Sequence, residues 1–185
     1  MSQLRVYQAN QPKTVLQETS QGEEIANILK SQGVLFERWE AKAPIEAGDN
    51  PEKVLAAYSD SISRLKAIGG YTTEDVISLN ASHPEKASLR QKFLSEHTHS
   101  EDEVRFFVAG RGLFCLHIND KVYNITCEAG DLISVPAGIT HWFDMGPEPE
   151  FTCIRLFIDP AGWVAQYTGN TIAENMPLFE DEQQG

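Results

Sequence analysis

The apolar positions of the first half follow a helical spacing. Between Ser20 and Gly33, Ile25, Ile28 and Leu29 recur at that period; Ser20 in the capping position and Glu23 three residues on complete a capping box, predicting one amphipathic helix. A second helix is predicted from Asn50, with Pro51 in its first turn. Val54, Leu55, Tyr58, Ile62, Leu65 and Ile68 fill one face before Gly69 and Gly70 end it, as in a helix that covers a core. Ahead of both, Leu4 and Val6 mark a short strand-like opening. Beyond Lys92 the pattern changes to short apolar runs separated by turn residues at Gly110-Arg111-Gly112, Asn119-Asp120, Gly130-Asp131 and Pro136-Ala137-Gly138. This rhythm predicts strands near 91–98, 104–109, 113–118, 121–127, 131–135, 139–144 and 151–158, and an antiparallel barrel or sandwich confined to the second half.

A length of 185 residues suits one folding unit, divided as an N-terminal strand and helix portion (1–82), a barrel (83–160) and a C-terminal segment (161–185). With 41% hydrophobic and 23% charged residues the chain has the composition of a globule, and no apolar run approaches the ~18 residues of a spanning helix. Fifteen basic residues face 27 acidic ones, which argues against nucleic acid and anionic membranes as partners. Beyond Lys92 there are only 4 basic residues against 15 acidic, so an arginine buried there needs a reason. Cys115, Cys127 and Cys153 form neither a CxxC pair nor an even set, and read as buried apolar residues in a reducing cytoplasm. The polar opening MSQLRVYQANQPK lacks an export signal, and the last dozen residues, ending EDEQQG, read as a solvated acidic tail. The absence of a long exposed apolar stripe favours a monomer.

The chemistry concentrates in EHTHSEDEVRFFVAG and GDLISVPAGITHWF. His97 and His99 point the same way if extended, a turn over Ser100–Asp102 brings Glu103 back, and His141 arrives from a distant strand to close the set. Three imidazoles and a carboxylate suit a first-row divalent ion and leave two octahedral positions for a chelating substrate. Arg105 shares the parity of Glu103 and Phe107, so its guanidinium projects into the same cavity, toward an enolate oxygen or toward Glu101 or Asp102. Phe93 shares parity with His97, and Phe143 with His141, which suggests an apolar wall. His83 and His117 read as surface or structural residues, the latter far from the cluster. Such a centre also serves metal-dependent isomerases, and ligand-binding modules in which the ion only braces the barrel.

The spacings HxHx3Ex6G (His97, His99, Glu103, Gly110) and Gx5PxGx2H (Gly130, Pro136, Gly138, His141) resemble the paired motifs of the cupins, which implies a double-stranded β-helix, or jelly roll, with added N-terminal helices. Gln91 and Met145 depart from the usual Gly and Asn, at positions that read as turns. More narrowly, KFLSEHTHSEDEVRFFVAGRGLFCLHI and CEAGDLISVPAGITHWFDMG resemble the acireductone dioxygenases of methionine salvage. That resemblance implies His97, His99, Glu103 and His141 as ligands of Fe2+ or Ni2+, and Arg105 as the group favouring the substrate dianion. It further implies a part for Glu96 in metal incorporation and for Asp102 in relaying conformational change. The partners would be an acireductone and O2, with an apolar pocket for the methylthio tail at Phe93, Phe107, Phe143 and Trp163.

Overall fold

The computed structural model describes residues 1–159, 161 and 164–183. Antiparallel strands dominate, in the order β1 (Gln3–Gln8), β2 (Gln11–Thr19), α1 (Gly22–Lys30), β3 (Leu35–Arg38), α2 (Pro51–Ala57), α3 (Ser59–Gly69), β4 (Thr73–Leu79), α4 (Lys86–Leu94), β5 (His97–Thr98), β6 (Glu103–Ile118), β7 (Lys121–Glu128), β8 (Asp131–Val135), β9 (Thr140–Asp144), β10 (Glu150–Phe157), β11 (Gln166–Tyr167) and α5 (Phe179–Glu182). Expectation and structure agree from β7 through β10 to within a residue at each end.

The 16-residue strand β6 organises the barrel. Its first half pairs with β8 and β10, and its second half with β7 and β9. Around these pairs the sheet runs β11-β5-β9-β6-β7-β1-β2 on one side, while β3 joins β8 and β4 joins β10 on the other. The Gly110-Arg111-Gly112 segment is therefore not the expected hairpin but the crossing point between the two halves. Gly110 has φ 62°, and a Cβ there would lie 1.8 Å from the Glu150 carbonyl oxygen; a Cβ on Gly112 would lie 2.3 Å from Phe143 Cζ. Glycine is needed because neighbouring chain occupies the space of a side chain. The true reversal comes at Asn119, with φ 57°, between β6 and β7.

Four further expectations are corrected. The sheet is not confined to the second half, since β1 pairs with β7, β3 with β8 and β4 with β10. The expected capping box does not form: Gln21 rather than Ser20 is the N-cap and makes no side-chain bond, and Thr19 Oγ1 donates instead to Glu24 at 2.6 Å. The single helix from Asn50 breaks at Tyr58 (φ −116°, ψ 21°), whose ring packs edge-on against Phe106 at 5.5 Å. Residues 91–94 belong to α4 rather than to a strand, so Gln91 sits within a helix and not in a turn.

Alternation along β6 sorts two cores. Val104, Phe106 and Val108 face outward onto Val54, Tyr58, Ile62 and Leu65 of α2 and α3. Phe107, Phe114 and Leu116 face the barrel interior, with Phe143 and Cys153. All three cysteines are buried and free, as expected of small apolar residues. The acidic tail is a correction as well. Met176, Phe179 and Glu182 are buried, and Glu182 receives Arg5, Tyr7 and Asn124 at 2.8, 3.0 and 2.7 Å. The spacing of Met176, Leu178 and Phe179 was the available signal for this docking.

Candidate metal centre

The register of the strands brings the four donors together. His97 lies opposite His141 in the β5–β9 pair, Glu103 opens β6, and the turn before it is held by Gly138 N–H donating to the His99 carbonyl at 3.0 Å. His97, His99 and His141 each offer a ligand atom, all within 4.8 Å of one another. Glu103 Oε2 stands 3.3 Å from His99 Nε2 and 3.2 Å from His141 Nε2.

The donor set fits a cation. His97 Nδ1 lies 2.7 Å from the Ser95 carbonyl and His141 Nδ1 2.9 Å from that of Ile139, so each ring keeps its proton on Nδ1 and turns an Nε2 lone pair toward the cluster. His141 Nε2 and Glu103 Oε2 are buried without a hydrogen-bond partner among the described residues, although they converge on one another. Two buried acceptors facing each other are costly unless a positive centre lies between them. Burial lowers the His97 pKa to about 4, with the neighbouring His141 adding to the shift, and burial lowers that of His99 too. Burial acts to raise the Glu103 pKa, but Arg105 and the two imidazoles outweigh it and hold the carboxyl well below its usual range. Burial thus favours the neutral form of His97 and His99, and Glu103 is held ionised, the forms a metal needs.

Arg105, 3% exposed, donates from Nε to Glu103 Oε1 at 2.5 Å rather than to Glu101 or Asp102. Its guanidinium lies 5.1 Å from the ring centroids of both Phe114 and Phe143, and its Nη1 is buried without a partner among the described residues. Phe107 and Phe143 pack 6.1 Å apart inside the core. Phe93 reaches Phe143 at 6.3 Å from α4, so its place comes from helix packing and not from the strand parity expected with His97. Trp163 lies outside the described residues.

Glu96 is buried on the other face of the ligand strand. Its carboxylate accepts Thr168 Oγ1 at 2.7 Å and lies 2.7 Å from His117 Nδ1, while its carbonyl accepts Thr168 N–H at 3.1 Å. His117 is therefore beside the cluster and not far from it; Leu116 pairs with His141, and β6 turns the next side chain to the outer face. Asp102 accepts Ala137 N–H at 2.8 Å, which couples the turn before Glu103 to the loop before His141. His83 stays in the loop before α4, capping Glu85 N–H at 3.2 Å. A surface cleft of about 940 Å³ lies between α1, β3 and α3 and includes none of the candidate metal-site residues.

The profile of the ARD/ARD′ family matches residues 3–165. The chain belongs to that family. Within the ARD/ARD′ family it is 60% identical over 181 residues to an acireductone dioxygenase of Pseudomonas aeruginosa, covering 98% of this chain and 100% of that protein. It is 55% identical over 180 residues to one of Hahella chejuensis, covering 97% of each. A solved acireductone dioxygenase from Bacillus anthracis, with a cadmium ion in its active centre, superposes with a TM-score of 0.78 at 32% identity, over 90% of this chain and 98% of that one. The mainly β cupin fold expected from the two motifs is the fold of this ARD/ARD′ chain.

Proposed function

We propose that the chain is a metal-dependent dioxygenase that cleaves 1,2-dihydroxy-5-methylthiopent-1-en-3-one, an acireductone, with O2 in methionine salvage. The observation that carries this reading is the convergence of three imidazoles and Glu103 beside a buried arginine whose Nη1 has no partner among the described residues. His97, His99, Glu103 and His141 would hold the ion, Fe2+ or Ni2+, one per chain. When bound, a divalent ion supplies Lewis acidity for a chelated enediolate and orients it toward O2.

Every other part belongs to the chain. Glu103 fixes Arg105 through Nε, and the free Nη1 donates to the second enolate oxygen, favouring the dianion over the monoanion. The packed rings of Phe114 and Phe143 keep water from that guanidinium, which strengthens its hold on a charged oxygen. The carbonyls of Ser95 and Ile139 keep the imidazoles oriented. Asp102 links the two ligand-bearing loops, so a shift at one is felt at the other.

With iron the products would be 4-methylthio-2-oxobutanoate and formate; with nickel, 3-methylthiopropanoate, formate and carbon monoxide. The chain would work as a monomer, and a place in the cytoplasm agrees with three buried free thiols. Elemental analysis combined with product identification and O2 uptake tests the proposal. Turnover without O2 uptake would replace it with an isomerase, and identical products from both metal forms would remove the metal-dependent outcome. Arg105→Ala should retain metal and lose at least about a hundredfold in kcat/KM, the scale of one preorganised donor to an oxyanion.

A further inference from the structure

An acireductone has two unlike ends: an oxygen-rich head, which the metal ligands and Arg105 suit, and an apolar thioether tail. Phe107 and Phe143 are 0% and 1% exposed, and their surfaces are spent on one another, Phe114 and Phe151. They form the closed back of the site. A different apolar surface borders its front. β11 pairs with β5 so that Tyr167 stands opposite His97. Opposed residues of an antiparallel pair share a face, and the Tyr167 ring meets the His97 ring edge-on at 5.9 Å. Tyr167 is nonetheless 57% exposed and Val164 66%, two of the few large apolar side chains left in water.

We propose that Tyr167 is a specificity-determining residue whose ring forms the wall against which the methylthio tail lies. The register is pinned from behind, because Thr168 is bonded to Glu96 through both its amide and its hydroxyl. A bound tail would cover ring surface that is otherwise wet, and the flat face and edge of a phenol suit a polarisable sulfur. Arg105 senses the charge of the head; Tyr167 senses what is attached to it.

The inference rests on the dioxygenase reading, and the test separates the two. Iron-loaded wild type, Tyr167→Ala and Tyr167→Phe are each assayed on the methylthio substrate and on 1,2-dihydroxybut-1-en-3-one, in which a methyl group replaces the tail. The readout is the ratio of kcat/KM for the two substrates. Tyr167→Ala is expected to reduce that preference roughly tenfold, mainly through KM, the scale of one lost apolar contact. Tyr167→Phe should restore it, because the ring and not the hydroxyl makes the contact. An unchanged ratio in Tyr167→Ala, or equal losses on both substrates, overturns the proposal, since a merely structural tyrosine would affect both alike. Wild type inactive on both substrates would overturn the dioxygenase reading, and this inference with it.

Discussion

Glu103 and Arg105 stand two residues apart on one strand, and each makes the other usable: the guanidinium keeps the carboxylate ionised, and the carboxylate aims the guanidinium. A bound divalent ion would itself keep Glu103 ionised when the guanidinium is removed, so loss of a ligand should cost metal and loss of the cation should cost turnover. His97→Ala or Glu103→Ala is expected to lower bound metal below about a tenth of wild type by elemental analysis, the scale of losing a ligand from a four-donor site. His97 also sets a pH dependence. Unfolded, it takes a proton near its ordinary 6.5; folded and without metal, only at about 4. Between those values the unfolded chain binds more protons, so the His97 contribution to the stability of chelator-stripped protein should be full above pH 6.5 and fall as the pH drops toward 4, by at most about 3 kcal/mol, with His99 acting in the same direction. Urea melts across that range check the slope, and His97→Gln should reduce it. The convergence of His97, His99, Glu103 and His141 beside Arg105 was legible because strand parity and motif spacing are local properties. His117 was misplaced because its role depends on Glu96 meeting it across the sheet, a contact of sequence separation 21.

Among the elements, β5 is the weakest and carries the most. It is two residues long, has one register pair with β9, and is flanked on its other side only by β11. The bonds from Glu96 to Thr168 and His117 compensate for that short ladder. Thr168→Val should cost about 1 kcal/mol, the worth of one hydrogen bond, and the Thr168 amide should exchange with solvent faster than in wild type. Unchanged protection would show that β11 is held by something else. Gly110 illustrates what pattern reading misses. A Gly-x-Gly between apolar runs is ordinary turn chemistry, and only the approach of β10, placing the Glu150 carbonyl where a Cβ would go, reveals a strand crossing from one half-sheet to the other. Gly110→Ala is expected to cost about 3 kcal/mol or more in thermal or urea melts, because both the backbone angle and the neighbour resist it. The last turn of α4, residues 91–94, reads as strand for a related reason: the apolar residues of this helix show almost no helical asymmetry, and none of its side chains is fully buried.

Across the whole molecule, the two ends of the chain meet. Arg5 on β1 and Glu182 on α5 form a buried pair, completed by Tyr7 and Asn124, while Arg90 of α4 holds Asp144 and Glu180. Arg5→Ala leaves the Glu182 carboxylate buried among fewer donors and should cost about 3 kcal/mol. Composition suggested solvated acidic residues there, because charge content reports the average residue and not the one that is paired. The four candidate metal ligands fall between His97 and His141, within a stretch short enough to tempt excision as a miniature metallopeptide. Yet β7, β8 and β10 each lean on a strand donated by the first eighty residues, so a fragment beginning at His83 would present three unsatisfied sheet edges. Such a fragment should aggregate, or release its ion to a mild chelator: the centre is not portable, and grafting it elsewhere would require bringing β1, β3 and β4 along.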